Sequence, residues 1–148
     1  MTFQPDLQDI THVIQLAVAP VFLLTGIGAI ITVMTNRLAR AVDRARHLQA
    51  TRHTAQDEER EHLTREFEVV GRRIRLAHRA IAFAVFSELC VCLLVAMAFI
   101  GAASGLELAL GVAALFVLAM LSLVVTLLIF LREIMLSVQS VRRLLKPA

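Results

Sequence analysis

The chain has 148 residues, of which 58% are hydrophobic and 18% charged, with no Trp and no Tyr; soluble domains are closer to about 45–50% apolar. That length suits one domain, and its apolar residues are too many and too contiguous for one buried core, which excludes a multi-domain enzyme and points to a membrane class. A formal net charge of +3 and a pI near 9.6 would suit a nucleic-acid binder, but the positions of the basic residues argue otherwise.

Residues 1–36 contain no Lys or Arg. Within them Ile10–Thr35 is a run of 26 residues whose sole titratable group is His12. About 20 apolar residues cross a hydrocarbon core, so the run reads as transmembrane helix 1. Asp6 and Asp9 stand where a cleaved leader would carry positive charge, so a retained span is expected. Thr25, Thr32 and Asn36 fall on one side of this helix, and Pro20, Gly26 and Gly28 permit a bend and close helix approach.

The next block, 36–79, carries eleven of the fifteen basic residues, from Arg37 to Arg79. Leu63, Phe67, Val70, Ile74, Ala77 and Ile81 alternate steps of four and three, a coiled-coil seam. At the same spacing it continues through Ala84, Glu88, Val91, Val95, Ala98 and Ala102, so one helix is expected from about Asp57 to Ala103. Leu24, Ile27, Ile31, Met34, Leu38, Ala41, Ala45 and Leu48 form a matching stripe on the first helix. Two long helices are therefore expected to leave the membrane together as a helical hairpin turning near His53. Arg37, Arg40, Arg44 and Arg46 on one arm and Arg72, Arg73, Arg75 and Arg79 on the other make a basic collar with Asp43 among them. Acids from Asp57 to Glu68 mark the tip, where His47, His53 and His62 could also gather; a solvated polar tip is the ordinary interpretation, and no metal site is expected.

From Ala80 to Leu131 there are 52 residues without Lys or Arg, carrying only Glu88 and Glu107. This is about two crossings, punctuated by Gly101-Ala-Ala-Ser104-Gly105-Leu-Glu107, so helices are expected at 80–103 and 106–131. Ser104 and Glu107 have the spacing of a capping box at the start of the third helix. Glu88 lies inside the second span beside Ser87, and an intramembrane carboxylate faces an interior, a partner or water. On the third helix Ser122, Thr126, Glu133, Ser137 and Ser140 form a polar line, which could coat a polar path or bond neighbouring helices. Cys90 and Cys92 point to different faces and suit neither a mutual disulfide nor a metal clamp.

The positive-inside rule places both Arg-rich segments, including the tail 132–148, in the cytoplasm and the N-terminus outside. The expected fold class is thus an all-α integral membrane protein of the inner membrane. It has three transmembrane helices and a long cytoplasmic helical hairpin between the first two. Topology and anionic lipid headgroups account for the basic excess, and nucleic acid is not an expected partner. No H-E-x-x-H, G-x-S-x-G or phosphate-binding glycine loop occurs, so no enzyme, catalytic residue or cofactor is expected.

The run Ile14-Gln-Leu-Ala-Val-Ala-Pro-Val-Phe-Leu-Leu-Thr-Gly-Ile-Gly-Ala and the run Thr35-Asn-Arg-Leu-Ala-Arg-Ala-Val-Asp-Arg-Ala-Arg46 resemble the bacterial family known as domain of unknown function 2721. The pair Arg72-Arg73 and the segment Leu131-Arg-Glu-Ile-Met-Leu-Ser137 extend the resemblance over nearly the whole chain. It implies a small integral membrane protein with Asn36, Arg37, Asp43, Arg44, Arg46 and Glu133 as motif positions, and no activity. In topology alone the chain is similar to the pentameric proton-channel subunits of the Ton and Tol systems, although it lacks their larger cytoplasmic domain. The leading functional expectation is a homo-oligomeric, channel-like protein, a pentamer by that analogy. Glu88, Ser87, Ser122, Thr126 and Glu133 would form its polar path, and the arginine collar its cytoplasmic mouth. The alternative is a non-conducting membrane scaffold or regulatory subunit whose charged hairpin binds a protein partner or anionic lipid.

Overall fold

The computed structural model describes the backbone of residues 7–52 and 56–144 and the side chains of 18–51, 56 and 59–135. It contains three helices, α1 (Leu7–Arg52), α2 (Asp57–Ser104) and α3 (Ala109–Leu144), and no strand among the described residues. All three are long and apolar enough to cross a membrane, over Val18–Thr51, Glu59–Ser104 and Ala109–Met135, with mean hydropathies of 2.1, 2.5 and 3.0. Only 11% to 28% of these apolar windows is buried within the chain. Most apolar side chains therefore face outward, as in a multi-pass membrane protein, where the backbone is satisfied within each helix and lipid takes the place of a core.

α1 and α2 run unbroken through positions 35 and 80, where the composition changes from apolar to basic or back. The expected tip lies outside the described residues at 53–55, as do the side chains of Asp6, Asp9, His12, Asp57, Glu58, Ser137 and Ser140. The chain divides into two compact units, and each helix contributes to both.

One unit comprises the described residues up to Ile30 together with Phe83–Val124. Its buried residues are Ile27, Ala84, Ser87, Cys90, Val91, Leu94, Ala119 and Ser122. Small side chains let α2 and α3 approach closely here, as they do in helix pairs that gain nothing from expelling water. Gly111 of α3 leaves room for the Met97 side chain of α2, whose Cε would lie 2.7 Å from a Cβ at that position. Gly105 ends α2 with φ at 67°, a left-handed conformation suited to glycine, and its amide bonds Gly101 O at 3.0 Å.

That glycine displaces the expected capping box. Ser104 is still helical, and its hydroxyl donates back to Ile100 O at 2.6 Å. α3 begins at Ala109 rather than 106, with Leu108 O accepting its first bond from Val112 N at 3.0 Å. Glu107 therefore precedes the helix instead of occupying its first turn.

The other unit comprises Ile31–Ala82 and the described residues from Val125 onward. The expected α1 stripe is the inward one: Met34 and Leu48 are buried, and Ile31, Leu38, Ala41 and Ala45 are half-buried. On α2, Val70 and Ala77 are buried as the expected seam requires, and so are Ala84 and Val91 in the other unit. The companion line differs. Ala80, Ser87 and Leu94 are buried and Arg73 is half-buried, whereas Ile81, Glu88 and Val95, one position later, are only half-buried. Both lines alternate threes and fours with Val70–Ala77–Ala84–Val91, so the heptad spacing allows either; the side occupied by the neighbouring helix decides.

Candidate functional site

Heptad spacing and helix packing bring three charged side chains of the second unit together. Arg37 follows Met34 by three residues on α1, Arg73 precedes Ala77 by four on α2, and Glu133 lies seven residues beyond Thr126 on α3. Glu133 is buried, with 8% of its side chain exposed against 27% for each arginine. Arg37 Nε stands 3.2 Å from Glu133 Oε2, and its Nη2 donates to Oε1 at 3.4 Å. Arg73 Nη2 donates to the same Oε1 at 3.3 Å. Phe130, one turn earlier on α3, places its ring centroid 5.5 Å from the Arg37 guanidinium, within cation–π range.

A cavity of about 10 Å³, bounded by Met34, Leu38, Ala41 and Ala77 as well as the charged groups and Phe130, adjoins the cluster. It has room for about one water molecule. With two guanidiniums against one carboxylate, the cluster keeps one net positive charge. Because both oxygens of Glu133 already accept from cations, the carboxylate ties three helices together. Removing either partner type would leave a charge with little access to water, which is costly.

A second, more open pair joins α1 to α2: Arg44 donates to Glu66 Oε1 through Nη2 at 2.6 Å and Nε at 3.0 Å. Of the other collar and motif residues, Asn36, Arg40, Asp43, Arg46, Arg72, Arg75 and Arg79 are exposed, as is Arg132 of α3. Among the described residues there is no group of three His, Cys, Asp or Glu side chains able to hold a metal.

The hydroxyls of the expected polar path serve the packing of α2 against α3. In the second unit Thr126 Oγ1 lies 3.4 Å from Ala80 O and is fully buried. In the first unit Ser87 Oγ donates to Ala119 O at 2.7 Å, and Ser122 Oγ to Phe83 O at 2.8 Å. Each hydroxyl thus joins one helix to a carbonyl of the other. Glu88 stands apart from this set: it is half-buried, Ser87 turns to Ala119, and no hydrogen bond or ion pair joins Glu88 to a described residue. Cys90 is buried and Cys92 exposed, consistent with thiols on different faces.

Sequence reasoning placed Arg37, Arg73 and Glu133 among its candidates but did not join them, and it missed Phe130. One signal was available. Arg73 precedes Ala80 by the same seven residues by which Glu133 follows Thr126, as an antiparallel helix pair in register demands.

Among known proteins, residues 17–143 match the family described as a protein of unknown function (DUF2721). No curated protein matches the chain, and no solved structure does.

Proposed function

The chain belongs to the DUF2721 family, whose description assigns no activity, and from its geometry we propose that it is a non-conducting membrane scaffold held to anionic lipid headgroups by its arginine collar. The observation that carries this proposal is the engagement of Ser87, Ser122, Thr126 and Glu133 within the chain, which leaves the described side chains of α3, up to Met135, without the free polar line that a conducting path needs. In this scheme α1, α2 and α3 cross an inner membrane with the N-terminus outside, and the 36–79 hairpin and C-terminal tail are cytoplasmic. Exposed Arg40, Arg46, Arg72, Arg75, Arg79 and Arg132 then lie where headgroups are, at about 1 kcal/mol of attraction for each cation near an anionic surface.

The test uses the purified full-length chain in vesicles of zwitterionic lipid with or without phosphatidylglycerol. The expected result is selective retention of phosphatidylglycerol, read by mass spectrometry of the solubilised protein, weakened in Arg72→Gln/Arg75→Gln/Arg79→Gln, with no proton or potassium flux above empty vesicles. Indifference to lipid charge would remove the headgroup role. A second proposal, a homo-oligomeric ion path, draws on the half-buried Glu88 in the α2 span, since ionisable groups at such depth mark ion pathways by default. Flux that changes in Glu88→Gln would establish that path in place of the scaffold.

A further inference from the structure

In the second unit α2 and α3 run antiparallel in one register, with Arg73 against Glu133 and Thr126 Oγ1 against Ala80 O. One residue before each member of the charged pair stand Arg72 and Arg132, both exposed. Each step back turns the side chain by about 100°, and on antiparallel helices the two turns lead to the same side of the pair. That side faces away from α1, which packs where Ala77 and Phe130 bound the cavity with Met34 and Leu38. Two lines flank the furrow between the helices there, Arg72, Leu76 and Arg79 on α2 and Val125, Ile129 and Arg132 on α3, each spaced by threes and fours. Leu76, Val125 and Ile129 are half-buried between the helices, and the three arginines are exposed beside them.

None of these arginines forms a hydrogen bond or ion pair with a described residue. The acids beside them along the helices do not neutralise them: Glu133 is held by Arg37 and Arg73, and Glu68, one turn before Arg72, forms no ion pair with it. Arg75, by contrast, lies back over Gly71, its Nη1 3.6 Å from where a Cβ would stand.

We infer that this furrow is a site for a single lipid that carries two phosphates. The inference rests on the headgroup role proposed above and gives it a place and a ligand class. Basic clefts between helices at the cytoplasmic face suit multiply charged headgroups. Arg72 and Arg132 stand within about 3 Å of the same depth, on helices whose axes pack about 8–10 Å apart. Two cations side by side at one depth complement two phosphates side by side at one depth, each held by a planar fork of donors. Arg79, about 10 Å further along α2 toward the apolar span, reaches back to the same level along its own aliphatic stem. One phosphate would leave two of the three guanidiniums without a counter-charge. A second phosphate on the same molecule arrives already tethered, so it binds at high effective concentration. Leu76, Val125 and Ile129 continue the furrow toward the apolar span, where acyl chains lie.

The experiment places the purified full-length chain in zwitterionic vesicles that contain phosphatidylglycerol and diphosphatidylglycerol in amounts of equal phosphate. Lipid retained on the solubilised protein is read by mass spectrometry. The expected result is a preference of about tenfold for diphosphatidylglycerol. Arg72→Gln/Arg79→Gln/Arg132→Gln should abolish that preference, and Arg132→Gln alone should lower it about fivefold. Arg40→Gln/Arg46→Gln/Arg75→Gln removes the same charge outside the furrow and should keep the preference while weakening the retention of both lipids. Equal retention of the two lipids per phosphate, or the same loss of preference in both triple variants, would overturn the site and leave the diffuse headgroup role standing. Retention of neither anionic lipid above the zwitterionic one would overturn both.

Discussion

Arg37 on α1 and Glu133 on α3 are 96 residues apart in sequence, and the Arg37 guanidinium reaches both carboxylate oxygens, Nε to Oε2 at 3.2 Å and Nη2 to Oε1 at 3.4 Å. Arg73 of α2 joins at Oε1. Three helices thus converge on one side chain, next to the change from apolar to basic sequence on α1 and α3 and about two turns from it on α2.

Glu133→Gln is expected to destabilise the protein by about 3 kcal/mol, because two partly buried guanidiniums would lose their shared counter-charge. Arg44→Ala, in the exposed Arg44–Glu66 pair, should cost no more than about 1 kcal/mol. Thermal unfolding of the detergent-solubilised variants compares the two. Equal shifts would mean that burial of Glu133 contributes nothing.

Arg37→Lys tests the shape of the contact rather than its charge. Lysine keeps the cation but cannot reach two carboxylate oxygens with a planar fork or stack on Phe130 in the same way. A loss of about 1 kcal/mol relative to the parent is expected, and it should shrink in a Phe130→Leu background if the ring contributes. A double-mutant cycle on unfolding midpoints reads that coupling.

Ser87→Ala and Ser122→Ala each delete a hydroxyl that reaches a carbonyl on the facing helix. The expected cost is about 0.6 kcal/mol each, typical of side-chain hydrogen bonds between apolar helices. Ser87→Leu should be far more damaging, since Ser87 is fully buried and extra methylenes would force α2 and α3 apart. Unfolding midpoints and dispersity on gel filtration report both effects.

Gly105→Ala should cost about 1 kcal/mol through the left-handed backbone that a Cβ disfavours, and Gly105→Asn less. Gly111→Leu should cost more, through collision with Met97, and Met97→Ala should recover part of it. Gly111→Ala is expected to be tolerated, because the atom in its way is the terminal methyl of a flexible side chain.

Much of the architecture was legible from local pattern. Hydropathy runs mark the three helices, the Ile27–Met34–Ala41–Leu48 stripe marks the inward side of α1, and Gly105 marks the break between α2 and α3. The errors came from features with two local interpretations. Ser104 and Glu107 have capping-box spacing, but the left-handed Gly105 keeps Ser104 in the preceding helix. The α2 seam through Ile74, Ile81 and Glu88 is more apolar at its start than the line through Arg73, Ala80 and Ser87, so hydrophobicity favoured the former. Packing against Ala119, Thr126 and Glu133 buried the latter more deeply.

The sequence by itself determined that this is an all-helical chain whose apolar surface is too large for its own core, with arginines confined to the segments between and after the apolar runs. Those properties follow from composition and from the 3.6-residue period, which each segment carries alone. Tertiary structure decided that Ser87, Ser122 and Thr126 bond across to a facing helix, that Glu133 is ion-paired while Glu88 has no hydrogen bond or ion pair with a described residue, and that Asn36 and Asp43 of α1 stay exposed. The physical reason is that a polar side chain on a helix takes its role from the helix opposite, and neither identity nor spacing specifies which neighbour that is until the helices pack.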